Sequence, residues 1–234
     1  MASLRTLTIG ILEVQGAFSE HHVALQKAQK TLNIDSLEII GVRHADHISE
    51  KIDGLIIPGG ESTTISLFLK RNNMYEPLRN WIDQKGHVTW GTCAGMILLS
   101  KQTENQKIGG QPSLAEMDID VSRNFFGRQI NSFEAPVKLK KTLLGSKLNE
   151  NFNLTYHGVF IRAPAVVHVT SPEVEILATL ERTGNQQTEA EVIVAVQQGN
   201  MMATAFHPEL TEDTRWHTHF MQMILKSLQI NPVK

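Results

Sequence analysis

Cys93 is the single cysteine in a chain of 234 residues, and its setting says more than its count. It lies in Gly91-Thr92-Cys93-Ala94-Gly95, between a run that reads as a strand ending at Trp90 and an apolar stretch that reads as a helix from Ala94. Glycine–x–nucleophile–x–glycine spacing is that of a nucleophile elbow, whose flanking glycines permit a sharp, strained turn. At the start of a helix, backbone N–H groups and the helix dipole favour a thiolate. The Ala94 N–H would also point to where an oxyanion forms. The chemistry suggested is acyl transfer through sulfur. A small buried apolar side chain is the commoner fate of a cysteine, but the glycine-flanked junction favours the nucleophile.

A nucleophilic thiol needs a base, and the base needs a group to orient it. His207-Pro208-Glu209 follows the strand-like run Met201 to Phe206. There His207 would take the thiol proton and return it to a leaving amine, while Glu209 would fix the imidazole tautomer. Standing alone, His207 would read as a turn cap before the last helix. Cys93 and His207 are 114 positions apart, so only strand topology can bring them together. A third candidate is Pro58-Gly59-Gly60-Glu61-Ser62, where glycines let the backbone approach a ligand and Ser62 and Thr63 are good caps for the helix that follows. By itself it reads equally well as an ordinary turn. It lacks the lysine of a phosphate loop, and no dinucleotide-binding glycine pattern occurs.

These positions must be held by a scaffold. In the first half, strand-like runs at Leu7 to Val14, Leu37 to Val42, Gly54 to Ile57 and residues 87–90 alternate with helical stretches near 19–31, 63–71 and 75–85, and a helix begins over Ala94 to Leu99. That alternation predicts a parallel sheet with covered faces. The second half reads as strands at Met117 to Val121, Phe133 to Leu139, Val159 to Ile161, Val174 to Leu180, Val192 to Gln197 and Met201 to Phe206, closed by a helix over about 213–229. Shorter connections there predict antiparallel pairs. The expectation is one α/β domain spanning 1–234, with a mixed, mostly parallel central sheet.

Composition narrows the class. Apolar residues make up 41% and charged residues 20%, enough to build a core and to exclude a wholly disordered chain. With 22 basic against 24 acidic residues, the formal charge of −2 gives no phosphate-neutralising surface, so nucleic acid is not an expected partner. A single thiol excludes an internal disulfide and a multi-thiolate zinc site. No secretory signal and no membrane-spanning run are read, so the expected location is the cytoplasm and the Asn153-Leu154-Thr155 sequon is expected to be idle.

Taken together, these residues resemble a class I (triad) glutamine amidotransferase domain. Six ordered segments sharpen the resemblance: LEVQGA (12–17), PGGESTT (58–64), GTCAG (91–95), RNFFGRQ (123–129) with Ser132-Phe133, FIRAP (160–164) and FHPELT (206–211). In this order they resemble the family of glutaminase subunits of pyridoxal 5′-phosphate synthases. The resemblance implies a three-layer, flavodoxin-like fold with Cys93, His207 and Glu209 as triad. It implies oxyanion donors at the backbone of Gly60 and Ala94, and a glutamine site of Gly60, Glu61, Ser62, Arg123, Ile161 and Arg162. Arginine suits an α-carboxylate and glutamate an α-ammonium; Arg123 and Arg162 would equally suit structural ion pairs. Gln15 and Gly16 match a loop that lies near the synthase partner in that family. L-Glutamine as substrate, a synthase subunit as partner and no cofactor of the chain's own follow from the same resemblance.

Lys138 to Thr155 and Arg182 to Glu189 are longer than in the compact bacterial pattern and read as surface elaborations. His21-His22 and His217-Thr218-His219 read as surface histidines, because no acidic partner stands at metal-binding spacing. Met201-Met202 and Ile97 to Leu99 read as core.

Overall fold

The computed structural model describes residues 5–104, 113–114, 117–127, 132–140, 154–181 and 191–230. Within 138–155 and 182–189, residues 141–153 and 182–189 lie outside the described residues, as does Asn153 of the sequon.

The strands are β1 (Leu7–Leu12), β2 (Leu37–Val42), β3 (Gly54–Ile57), β4 (Val88–Thr92), β5 (Ser100–Glu104), β6 (Met117–Ser122), β7 (Ser132–Leu139), β8 (Thr155–Ile161), β9 (Ala165–Val169), β10 (Val174–Leu180), β11 (Val192–Gln198) and β12 (Met201–Thr204). The helices are α1 (Phe18–Leu32), α2 (Ser62–Arg71), α3 (Tyr75–Ile82), α4 (Ala94–Leu99) and α5 (Arg215–Ser227), with 3-10 turns at Ala45–His47 and Pro208–Leu210. Among the described residues, no helix is long and apolar enough to cross a membrane.

One sheet runs β2-β1-β3-β4-β12-β11-β10-β7-β8, with β5, β6 and β9 joined beside it. The five strands β2 to β12 are mutually parallel. From β11 outward the pairs are antiparallel. This is the mixed α/β sheet that the alternating elements require. β1 (LTIGIL) and β3 (GLII) are buried at every position, as central parallel strands covered on both faces must be.

β4 shows the layering directly, because alternate strand residues face opposite ways. Trp90 meets His21 of α1 and His217 and Phe220 of α5. A Cβ on Gly91 would instead collide with Gly95 and Leu99 of α4. So α1 and α5 cover one face and α4 the other.

Two strands escape the sequence reading. β5 (SKQTE) is polar and follows α4 without a connection, with only Ser100 buried. β9 is five residues long and pairs with β6 and β11, both distant in sequence. Met202 and Ile97 to Leu99 are core as expected, whereas Met201 is half-buried.

Candidate active site

The strand order places β1 between β2 and β3, so successive connections leave β1 in opposite directions. Open α/β sheets bind ligands at such a switch point, beyond the carboxyl ends of the strands. The candidate residues fall on that edge: Gln15 and Gly16 after β1, Gly59 to Ser62 after β3, Cys93 after β4 and His207 after β12.

Register closes the long separation between nucleophile and base. Thr92 pairs with Thr204 across β4 and β12, and the Cys93 N–H donates to the Thr204 carbonyl at 2.8 Å. The two strands thus deliver Cys93 and the segment leading to His207 side by side. The His207 N–H donates to the Val159 carbonyl at 2.8 Å. The Phe206 ring beside it packs with Tyr156, Phe160 and Trp216, an aromatic mass that fixes the backbone carrying the base.

Cys93 has φ 49° and ψ −100°, a conformation that L side chains rarely adopt and that strained functional turns often hold. The turn is possible because Gly91 and Gly95 pack on one another: a Cβ on Gly91 would fall inside 3.0 Å of the Gly95 carbonyl group. A Cβ on Gly95 would strike the carbonyl oxygen of Ile57. The elbow glycines are therefore demanded by α4 starting hard against β3. Cys93 is only 6% exposed, and its thiol approaches the Ile161 carbonyl at 3.8 Å. As the residue before α4, it adjoins first-turn N–H groups that have no intrahelical acceptor, Ala94 among them.

The His207 Nδ1–H donates to Glu209 Oε1 at 2.8 Å, a geometry set by the 3-10 turn that places the two residues on one side. Burial opposes a charge on His207, but hydrogen bonds with Cys93 and Glu209 outweigh it and push the imidazole up to about 10. Burial alone would raise the Glu209 carboxyl; its polar surroundings, His21 and His207, hold it below its ordinary range. The arrangement is that of a nucleophile, a base and an orienter.

Gly59 forms the roof. A Cβ there would overlap His207 Cε1 and lie 3.4 Å from the Cys93 Cβ. The turn after β1 holds this loop: Gln15 Oε1 accepts from the Glu61 N–H at 2.9 Å, and a Cβ on Gly16 would overlap the Gly59 carbonyl. Gly60, at φ 144°, packs against the Gln15 side chain.

Glu61 caps α2, accepting from the N–H groups of Thr64 at 2.8 Å and Thr63 at 3.3 Å. Burial would raise its carboxyl, but the Thr64 and Thr63 hydrogen bonds prevail and hold it at about 2. Arg123 Nη2 donates to Glu61 Oε1 at 2.9 Å. The arginine and glutamate expected to hold opposite ends of glutamine are thus paired with each other. Ser62 and Thr63, expected as caps, instead lie inside the first turn of α2, where Ser62 is buried and Glu61 does the capping, and Ile161 and Arg162 are exposed at the end of β8. Arg162 sits at φ 46°. The next residue, Ala163, accepts from the Phe125 N–H at 3.1 Å, tying this turn to the segment that carries Arg123.

The reading of the histidines is corrected. His21 and His217 are fully buried, with His21 Nδ1 and His217 Nε2 3.0 Å apart, and His21 Nε2 lies 3.5 Å from Glu209 Oε2. His22 pairs with Glu13 at 2.9 Å, and His219 bonds Gln197 at 3.0 Å. Helical spacing carried the missed signal. His21 shares a buried face with Ala24, Leu25 and Ala28, and His217 with Phe220, Met221 and Ile224, each at the three-to-four-residue interval of one helix face.

Comparison with known proteins adds an independent line. Residues 11–226 match the SNO glutamine amidotransferase family. The chain is 44% identical over 232 residues to a probable pyridoxal 5′-phosphate synthase subunit PDX2 of Arabidopsis thaliana, covering 93% of this chain and 86% of that protein. It is 41% identical over 220 residues to a pyridoxal 5′-phosphate synthase subunit PdxT of Pyrococcus furiosus, covering 93% and 98%. Among solved structures, a glutamine amidotransferase superposes with a TM-score of 0.71 at 36% identity, covering 92% of this chain and 98% of that one. The glutaminase domain of a Trypanosoma brucei CTPS shares the fold, with a TM-score of 0.55 at 14% identity and coverage of 97% and 96%.

Proposed function

Because the chain belongs to the SNO glutamine amidotransferase family, we propose that Cys93, His207 and Glu209 are its catalytic triad and that ammonia from L-glutamine is its product for a partner. It is a glutaminase subunit of the pyridoxal 5′-phosphate synthase type. The observation that carries the triad is the strained Cys93 turn delivered beside the His207–Glu209 pair.

The Cys93 thiolate attacks the side-chain amide carbon of glutamine and forms a tetrahedral adduct. Backbone N–H groups at Gly60 and Ala94 receive the oxyanion. The His207 imidazolium gives its proton to the departing nitrogen, and the C–N bond breaks to release ammonia. Water then adds to the glutamyl thioester with His207 as base, returning glutamate and the thiol. Glu209 keeps the Nδ1 proton of His207 in place and offsets its charge.

Gly60, Glu61, Ser62, Arg123, Ile161 and Arg162 form the glutamine site in this reading. Binding the zwitterion divides the Glu61–Arg123 pair between the α-ammonium and the α-carboxylate, replacing one ion pair by two. The ammonia passes to a synthase subunit in a hetero-oligomer, and Gln15 and Gly16 face that partner. One unit spanning 1–234, working in the cytoplasm, suits a lone thiol and a small zwitterionic substrate. The Gly59-Gly60 turn, braced by Gln15 and Gly16, is where a partner would order the oxyanion site, since glycines reorient cheaply.

Ammonia release from glutamine, measured with and without the synthase subunit, tests this reading. Little turnover alone and strong stimulation by the partner are expected. Full activity of the isolated chain overturns partner dependence, and no turnover in either case overturns the glutaminase.

A further inference from the structure

Beyond the triad, a second buried polar assembly abuts its carboxylate. Glu209 Oε1 is taken by His207, while Oε2 faces His21 Nε2 at 3.5 Å. Both facing atoms are sealed from solvent, and at this separation neither completes a hydrogen bond with any partner among the described residues. His21 in turn meets His217 at 3.0 Å.

Resting on the triad reading above, we propose that His21 is a positioning residue for the Glu209 carboxylate and that His217 sets its tautomer. Cys93, His207, Glu209, His21 and His217 would then act as one oriented hydrogen-bond chain.

Donor and acceptor logic fixes the direction. An ionised carboxylate only accepts, so His21 Nε2 must carry the proton. In the neutral ring, the form that burial favours, Nδ1 of His21 is bare and accepts from the Nε2–H of His217. That leaves His217 Nδ1 bare, and it is buried with no partner among the described residues. Burial disfavours a charge on both rings: it lowers His21 despite Glu209, and lowers His217 well below 6.5. His21 faces the Glu209 carboxylate with its Nε2 nitrogen. The other titratable groups acting on it are His207 from the catalytic turn, Glu20 and His22 on its own helix, and His217 from α5.

The rings are also held in place. Trp90 meets His21 edge-on at 5.7 Å and His217 at 4.9 Å. Since α1 supplies His21 and α5 supplies His217, their packing reports directly on the orientation of a carboxylate at the opposite end of the triad. A core serving only to exclude water would fill these positions with aliphatic side chains, which leave no polar atom unpaired.

The test contrasts two polar variants. His21→Gln keeps an amide donor near the Nε2 position, whereas His21→Asn places its amide near Nδ1, out of reach of Oε2. With the synthase subunit present, His21→Asn should lose about tenfold or more in kcat, part of the range spanned by acid–base catalysis. KM for glutamine should stay unchanged, and His21→Gln should recover most of the loss. Alkylation of Cys93 by iodoacetamide at neutral pH should follow the same order, because it reads the thiolate–imidazolium pair without needing turnover.

His217→Leu should slow both reactions in the wild-type background and add nothing in His21→Gln, which has no tautomer to fix. Equal behaviour of the Gln and Asn variants, or an equal cost of His217→Leu in both backgrounds, overturns the proposal. Absence of glutamine turnover in the wild type would fail the glutaminase reading, and alkylation then decides the relay. Melting temperatures identify any variant that does not fold. If both His21 variants unfold, His217→Leu decides: slowed alkylation supports the relay and unchanged alkylation overturns it.

Discussion

Gly59 and His207 are so closely apposed that any side chain at Gly59 would occupy the space of the imidazole edge. The loop after β3 therefore lies directly over the base, and its glycine is required by proximity and not by an unusual φ.

Gly59→Ala should consequently cost activity more than stability. The added methyl displaces either the loop or the imidazole, and misplacement by about 1 Å can lower turnover about 100-fold. Gly95→Ala should behave oppositely. Its methyl meets the Ile57 carbonyl inside the packed α4–β3 contact, and overpacking of that kind costs about 1–3 kcal/mol. Steady-state kinetics and denaturant titration of both variants check the contrast.

Cys93→Ala should abolish glutamine-dependent synthesis by the complex while sparing synthesis from added ammonium. A second variant probes the strain. Cys93→Gly should be equally inactive yet more stable than Cys93→Ala by about 1 kcal/mol, because glycine adopts the φ of 49° without the penalty of a side chain. Equal stability of the two would show that the turn stores no strain.

Acid should erase the advantage of an ionised residue 61. The folded carboxyl sits at about 2 against an ordinary 4.5, so the unfolded chain binds its proton more readily. The stabilisation is full above about 4.5 and is lost as pH falls through about 2. Wild type should therefore exceed Glu61→Gln in stability at neutral pH, with the gap closing between pH 4.5 and 2. Denaturation midpoints across that window measure it.

Arg123→Met should raise KM for glutamine about tenfold or more, with a smaller change in kcat. Loss of one charge-assisted hydrogen bond costs about 1.5–3 kcal/mol, and the arginine acts on the bound α-carboxylate, remote from the reacting amide. A fall in kcat at unchanged KM would contradict that role.

Much of this protein was written locally. Glycines around Cys93, the Pro-Gly-Gly loop and His207-Pro208-Glu209 carry their chemistry in short segments, because elbows, loops and turns depend on neighbours in sequence. Apolar runs such as LTIGIL and GLII announce buried parallel strands for the same reason. Tertiary structure decided whatever depends on partners far along the chain. The β4–β12 register, and not any motif, joins Cys93 to His207. The turn after β1 reaches across to brace Glu61, and β9 exists through pairing with β6 and β11. Most telling are His21 and His217, polar in type yet fully buried. Residue type alone assigns a histidine to the surface, but a histidine becomes a core residue when another buried polar group, here Glu209, gives its ring nitrogen something to face.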